Sequence, residues 1–192
     1  MALPFLARWA RCGRKLPHVQ RLVLNEDHYR EVLDGLVEGA ERFLWIATSD
    51  VKDVHVEGPG RRYVPFLSVL AELVGRGVEV RLIHAKEPGP AFREDFDRFP
   101  ALLESDLFER ILCPRMHMKV VIADGARAYL GSANLTGAGL GAKAPHRRNF
   151  EAGVILEDER SIEQLMAELD RLYLGEHCVG CGRREHCPDP IV

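Results

Sequence analysis

The sequence lacks any uninterrupted apolar stretch close to the roughly 20 residues that a membrane-spanning helix requires. The apolar run within its first fifteen residues, MALPFLARWARCGRK, is also too short for a secretory signal peptide. A strong excess of positive charge is absent too, because 26 lysines and arginines stand against 29 aspartates and glutamates. We therefore expect a cytoplasmic protein without a transmembrane segment, in which local basic clusters form any site for an anion.

Cysteine is scarce, and its distribution excludes a disulfide framework spread through the fold. Only five cysteines are present, and three of them lie in the last fifteen residues. Small secreted domains that depend on disulfides place their cysteines throughout the chain instead. A metal site near the end of the sequence is the better first interpretation.

The length and apolar content predict one folded domain with short appendages. With 192 residues, 46% of them hydrophobic, the chain is long enough for one sizeable core and falls within the usual length of a single domain. We divide it into an N-terminal arm (residues 1–20), a central domain (21–174) and a cysteine-rich tail (175–192).

Alternating helical and strand patterns in the first half predict an α/β domain with parallel strand pairing. Apolar residues recur at helical spacing over residues 25–40, and a short apolar run at 42–48 is typical of a buried strand. The polar stretch 49–62 is predicted to be a loop, after which helix 63–74 and strand 78–85 repeat the order. Parallel strands are commonly connected in this helix and strand alternation.

The second half is predicted to contain a β-hairpin as its clearest local feature. Strand 116–124 should turn back at Asp124-Gly125, a dipeptide that favours the tight turn between two antiparallel strands. The other predicted elements are short helices after Pro88, strands at 108–113 and 149–156, and a closing amphipathic helix at 161–174.

The hairpin carries polar residues at fixed spacing. The pattern is H-x-K-x4-D-x6-G-S-x-N, formed by His117, Lys119, Asp124, Gly131, Ser132 and Asn134. Residues two apart on a strand point to the same face, so His117 and Lys119 should lie side by side. The turn at Asp124 returns the chain, so the loop after the second strand can bring a hydroxyl, an amide and backbone N–H groups toward the same region. These are the donors that an anionic oxygen needs.

Histidine and lysine together can supply the groups that phosphodiester cleavage needs. The reaction requires a nucleophile, a proton donor for the leaving oxygen and fixed positive charge around the phosphoryl oxygens. Imidazole can attack phosphorus and can carry protons near neutral pH, but one imidazole cannot do both on opposite sides of an in-line displacement. His84 is also followed by a lysine, Lys86, but only His117 continues into the aspartate and the G-S-x-N of the full pattern. The chemistry therefore requires a second histidine.

This arrangement resembles the HKD motif of the phospholipase D superfamily, and Asn149-Phe150-Glu151 resembles that family's downstream N-x-E element. The resemblance covers roughly residues 21–174 and implies an α-β-α sandwich around a central mixed β-sheet. Small members with a single motif pair as homodimers, so the resemblance implies two chains for one active site. His117 of one subunit would form a phosphohistidine, and His117 of the other would protonate the leaving group, without a metal or other cofactor for catalysis.

The resemblance also assigns roles to the remaining motif residues. Lys119, Ser132 and Asn134, with the backbone of Gly131, would hold the phosphoryl oxygens, and Glu151 would orient His117 and stabilise its charged form. Asp124 would be counted with the catalytic residues by its place in the motif. An aspartate before a glycine is also ordinary hairpin chemistry, which favours a structural role for Asp124.

The substrate class is not specified by the motif, since one fold can serve several phosphodiesters. A basic segment with Lys143, Arg147 and Arg148 lies between Asn134 and Glu151, where it could follow a nucleic-acid backbone. We expect a nuclease acting on DNA or RNA. The alternatives are a phospholipase or phosphatidyl transferase, which would need an apolar entrance, and a non-catalytic nucleic-acid-binding dimer.

The tail sequence HCVGCGRREHC is typical of a metal-binding segment. Cys178, Cys181 and Cys187 have C-x2-C-x5-C spacing, and the fourth ligand is Cys12, His186 or His177. Zinc is the default metal. The spacing with one distant N-terminal cysteine is also similar to that of the iron–sulfur staple in certain RecB-type nucleases, which would make Cys12 the fourth ligand of a [4Fe–4S] cluster. Cys113 is interpreted as a buried residue at a strand end.

Overall fold

A seven-stranded mixed β-sheet is the centre of the fold in the computed structural model, which describes residues 21–52, 54–58 and 62–191. Its strands are β1 (Leu22–Leu24), β2 (Phe43–Thr48), β5 (Glu79–His84), β6 (Phe108–Leu112), β7 (Val120–Ala123), β8 (Arg127–Gly131) and β9 (Ala152–Leu156); β3 (His55–Gly58) and β4 (Arg62–Pro65) form a separate hairpin. The order of strands in the sheet is β1-β9-β8-β7-β2-β5-β6. Strands β2, β5 and β6 are parallel, and all other neighbours in the sheet are antiparallel.

Helices cover both faces of the sheet and enclose two apolar cores. The N-terminal helix (Tyr29–Val37), which has wide i→i+5 hydrogen bonding, packs on one face together with α1 (Phe66–Gly75), α2 (Pro90–Phe96) and α3 (Pro100–Glu104). The other face is covered by α4 (Glu159–Tyr173). This arrangement confirms the predicted α-β-α sandwich with a central mixed sheet. Among the described residues, no helix is long and apolar enough to cross a membrane.

Strand β2 shows why the central strands have continuous apolar sequences. Leu44 and Ile46 point into the first core, and Trp45 and Ala47 point into the second. A strand covered on both faces buries successive side chains on opposite sides, so its sequence is apolar throughout and does not alternate.

Three elements differ from the sequence predictions. The predicted loop at 49–62 is wrong in part, since β3 pairs with β4; Val54 and Val56 alternate with polar residues there and are buried. The predicted strand 116–124 is paired as a strand only in β7, while residues 116–119 are extended just before it. The prediction did not include β1, whose three residues are too few to give a periodic signal.

The register of the strands brings several chain ends to one edge of the sheet, which we call the active edge. The carboxyl ends of the parallel strands β2, β5 and β6 lie there, and so do the carboxyl ends of β1 and β8. Strands β7 and β9 run the opposite way, so their amino ends lie at the same edge. Loops at the carboxyl ends of parallel strands are where α/β proteins usually bind their ligands.

Candidate active site

His117 and Lys119 lie together at the active edge, in the extended segment that leads into β7. Met116 and Met118 point into the core beneath α4. Alternate residues of an extended chain point to opposite sides, so His117 and Lys119 project away from that core. The Lys119 Nζ lies 2.8 Å from His117 Nδ1 and donates to the His117 carbonyl at 2.7 Å. His117 is exposed, whereas Lys119 is only 8% exposed. The structure therefore places an accessible imidazole against a buried ammonium.

Ser49, which directly follows the neighbouring strand β2, holds the Lys119 ammonium in place. Its Oγ accepts a hydrogen bond of 2.6 Å from Lys119 Nζ. Burial lowers the pKa of Lys119, and the carboxylate of Glu151 opposes that change by favouring the charged form. A cation held in such a site is poorly screened by water, so it interacts strongly with a phosphoryl oxygen.

Asn134 fixes Ser49 and so acts on Lys119 through it. Asn134 Oδ1 accepts from Ser49 Oγ at 3.0 Å and from the backbone N–H of Asp50 at 3.2 Å. The sequence prediction of Asn134 as a phosphate ligand did not include this role. Ser49 was missed altogether, although a polar residue just after a buried parallel strand is a signal for a site.

Glu151 is held by polar groups from three parts of the chain. Its carboxylate accepts from Ser132 Oγ in a short hydrogen bond and from Asn149 Nδ2 at 3.0 Å. Asn25 Oδ1 accepts from the Glu151 backbone N–H at 3.2 Å, and the Asn25 N–H donates to the Glu151 carbonyl at 2.9 Å. The family resemblance implied that the Glu151 carboxylate would contact His117. In this structure the carboxylate is hydrogen-bonded to Ser132 and Asn149 instead.

The buried ring of Tyr129 explains the glycine at position 131. A Cβ on Gly131 would lie 2.2 Å from the Tyr129 hydroxyl, and a Cβ on Gly153 would lie 2.4 Å from the Tyr129 ring. The hydroxyl accepts from the Ala133 N–H at 3.2 Å, and burial raises the pKa of Tyr129 to about 12. The Gly131 N–H donates to the Lys119 carbonyl at 3.1 Å, so it is not free to bind a phosphate. The predicted phosphate contact of Gly131 is therefore corrected, and the structure gives this glycine a packing role instead.

Asp124 lies at the opposite end of β7 from His117, five residues beyond Lys119, which is roughly 17 Å along an extended chain. Its carboxylate accepts from the backbone N–H groups of Glu41, Arg42 and Phe43 at 2.7–3.3 Å. Burial alone would raise the pKa of Asp124, but these hydrogen bonds outweigh it and hold the pKa below its usual value. Asp124 therefore joins β7 to the start of β2, and this geometry corrects the catalytic assignment to a structural one.

Substituting Asp124 with alanine is expected to lower the free energy of unfolding by about 1–3 kcal/mol, because three N–H groups lose a charged acceptor. The residue also has a left-handed backbone (φ +58°), which alanine tolerates poorly. Turnover per folded molecule should stay within about threefold. Urea unfolding and kcat, measured for Asp124→Ala and for the milder Asp124→Asn, test this. A large fall in kcat with normal stability would restore the catalytic assignment.

The predicted backbone-binding residues lie in the loop between β8 and β9. Lys143 and Arg147 are exposed to solvent. Arg148 is engaged within the loop, since its Nε donates to the Lys143 carbonyl at 2.6 Å and its guanidinium lies 3.9 Å from Glu26. Arg148 therefore helps to hold the conformation of the loop. Contact of Lys143 and Arg147 with a substrate stays a prediction.

The tail docks on the connection between β6 and β7. Within the described ranges, no group of three or more His, Cys, Asp or Glu side chains is arranged to hold a metal ion. Cys12 and the rest of the predicted N-terminal arm lie outside the described residues. The metal site made of Cys178, Cys181 and Cys187 therefore stays a prediction that the structure does not confirm.

Comparison with known families gives one match that covers most of the chain. The family model described as "Cardiolipin synthase, PLD-like domain" matches residues 36–173. No curated protein sequence matches the chain.

Three solved structures share the fold at low sequence identity. Nuc from Salmonella typhimurium, described as a phospholipase D family member, has 16% identity and a TM-score of 0.57, with 80% of this chain and 94% of Nuc covered. Phosphatidylserine synthase from Haemophilus influenzae has 17% identity and a TM-score of 0.55, with 79% and 37% covered. TrmBL2, an archaeal chromatin protein, has 13% identity and a TM-score of 0.56, with 84% and 55% covered. The chain thus spans nearly all of Nuc but only about half, or less, of the other two.

Proposed function

Because the chain belongs to the phospholipase D-like family whose model it matches over residues 36–173, we propose that it is a nuclease that acts as a homodimer with His117 as its nucleophile. Membership of the superfamily supports a phosphodiesterase in general. The observation that carries the proposal is the exposed His117 imidazole, which lies 2.8 Å from the buried Lys119 ammonium.

The two copies of His117 would begin in different protonation states. The acid needs an imidazolium, with protons on both ring nitrogens, so that its Nε2–H can protonate the leaving oxygen. The attacking copy needs a neutral ring with a free lone pair on Nε2 that forms the bond to phosphorus. Water then releases the product from the phosphohistidine, and the acid, now deprotonated, accepts a proton from that water.

Two other histidines at the active edge are unsuited to the second role. His28 and His84 are both 0% exposed. Burial lowers the pKa of His28, and burial together with the charge of Arg110 lowers the pKa of His84 to about 4. His84 Nε2 also accepts from Arg110 Nε at 2.8 Å. A neutral, buried imidazole cannot deliver a proton to a substrate, which excludes His28 and His84 from this role.

An exposed apolar surface next to Glu151 is suited to a second copy. Phe150 is 97% exposed, and on the strands beside it Leu24 and Leu130 are 45% and 39% exposed. The register places Leu130 opposite Val154 and Leu24 opposite Ala152, so these side chains share one face of the sheet. Clustered apolar side chains at the surface usually mark a protein interface. Contact here would bring the partner close to the active edge and complete the site.

Nucleic acid is the proposed substrate because exposed basic side chains continue from the site. Lys143 and Arg147 lie in the loop that ends at Glu151, where they can neutralise the phosphates next to the one being cleaved. The fold alone does not separate nucleic acid from lipid, since Nuc and the phosphatidylserine synthase share it to a similar degree.

The substrate is tested by incubating purified protein with single-stranded DNA, duplex DNA, RNA and vesicles that contain phosphatidylglycerol and cardiolipin, each with and without EDTA. We expect cleavage of at least one nucleic acid, unchanged by EDTA, and none by His117→Ala. Cleavage of lipid alone would overturn the choice of substrate. Loss of nucleic-acid cleavage in EDTA, with the fold intact, would overturn the metal-independent mechanism.

A further inference from the structure

A cavity of about 460 Å³ lies between the tail and the segment that leads to His117. Four cysteines line it: Cys113, Cys178, Cys181 and Cys187. The rest of the lining is largely apolar and includes Ile83, Ile111 and Leu172. Cys113 follows β6 directly and is separated from the tail cysteines by more than sixty positions in the sequence. The fold, and not sequence proximity, therefore gathers these four thiols.

Contacts of the tail surround Cys113 on both sides. Asp189 accepts from the Leu112 N–H at 2.7 Å, and Cys187 Sγ lies 3.7 Å from the Leu112 carbonyl oxygen. On the other side of Cys113, Arg183 donates to the Pro114 carbonyl at 2.6 Å. The tail is thus fixed to the two residues that flank Cys113, which keeps its own cysteines close to that thiol.

The first two tail cysteines form a tight turn that contacts the segment after Cys113. The Cys181 N–H donates to the Cys178 carbonyl at 3.3 Å, and Gly180 provides the left-handed backbone that this turn requires (φ +71°). Arg115, two residues after Cys113, donates to Cys181 Sγ at 3.8 Å. This contact holds the turn against the segment that carries Cys113.

The arrangement of the thiols favours a cluster over a single ion. A zinc ion with four bonds of about 2.3 Å would draw its sulfurs to roughly 3.8 Å from one another. In the described part of the chain no three candidate ligands converge in this way, yet four thiols border one apolar cavity. An iron–sulfur cluster is larger than one ion and is held by four such thiolates. We propose that Cys113, Cys178, Cys181 and Cys187 bind an iron–sulfur cluster.

In this ligand set Cys113 is the fourth ligand, in place of the Cys12, His186 or His177 expected from the sequence. His186 is exposed and does not line the cavity. His177 lines it, but its Nε2 lies 3.0 Å from Glu168 Oε1. Cys113 is the fourth thiol at the cavity, and it precedes His117 by four residues. A cluster here would clamp the tail to the segment that carries the proposed nucleophile.

The proposal is tested on the full chain, purified without oxygen, by measuring iron, acid-labile sulfide and the visible spectrum. We expect iron and sulfide in near-equal amounts and a broad absorption band above 400 nm. Cys113→Ser should remove most of both, whereas the matched Cys12→Ser should retain them. Stoichiometric zinc without sulfide, the absence of any metal, or loss of the cluster in Cys12→Ser but not in Cys113→Ser would overturn the proposal.

A second measurement avoids variants that fail to fold. The native protein is alkylated, digested and mapped by mass spectrometry before and after the iron is chelated under denaturing conditions. Protection of the four cavity cysteines before chelation, with modification of Cys12, supports the ligand set. Modification of Cys113 in protein that still holds its iron would exclude it as a ligand. Neither result depends on phosphodiesterase activity.

Discussion

His117→Ala is expected to lower kcat for phosphodiester cleavage by at least about 10⁴-fold, which is typical of removing a nucleophile that acts with a partner group. The effect is large because both the attacking and the protonating imidazole of a shared site would be lost. Stability should change by less than about 0.5 kcal/mol, since the His117 side chain is exposed. Single-turnover kinetics and urea unfolding measure the two quantities. His186→Ala, which changes an exposed histidine of the tail, is the matched control and should behave as the wild type.

Mixing the two forms distinguishes a shared site from two independent ones. If subunits exchange freely, a mixed dimer has one imidazole and no complete site, so activity should follow the square of the wild-type fraction. A site complete within one chain would instead give activity in direct proportion to that fraction. A linear response, or a fully active monomer in light scattering, would contradict the proposed dimer.

Lys119→Ala is expected to lower kcat by about 10²–10³-fold, equivalent to losing one strong donor to the charge that develops in the transition state. The buried position of Lys119 makes its charge effective, and its hydrogen bonds with Ser49 and the His117 carbonyl fix its direction. The Michaelis constant should change less than kcat if the contact strengthens in the transition state. An equal rise in the Michaelis constant with unchanged kcat would assign Lys119 to substrate binding alone.

The pH profile gives an independent test of the same residue. Burial lowers the pKa of Lys119, so the ammonium loses its proton at a lower pH than a lysine in water. Activity should therefore fall as the pH rises through this lowered pKa, because the neutral amine no longer stabilises the phosphoryl oxygens. In Lys119→Arg the alkaline fall should disappear, since a guanidinium stays charged. An unchanged alkaline limb in this variant would assign the titration to another group.

The sequence could predict the parts of the site that lie close together along the chain. His117 and Lys119 are two residues apart, so extended backbone alone brings them side by side. The turn at Asp124-Gly125 and the following strand return Asn134 to the same edge, as expected from a hairpin. The family resemblance marks the position of Glu151, and its action on His117 stays a prediction.

Contacts between distant segments could not be predicted in the same way. Ser49 meets Lys119 across 70 positions only because β2 and β7 pair in one particular register. The place of Cys113 beside the tail cysteines depends on how the tail docks on Leu112 and Pro114. Both arrangements result from tertiary packing, which local periodicity does not encode.

The position of β7 between Lys119 and Asp124 suggests that its two ends limit the protein at opposite extremes of pH. At the Asp124 end the carboxylate has a lowered pKa, so its contribution to the free energy of unfolding is lost as the pH falls through that pKa. At the Lys119 end, alkali removes the cation and leaves a folded but inactive molecule. Acid should therefore lower stability before it lowers turnover per folded molecule, whereas base should lower turnover without unfolding the chain.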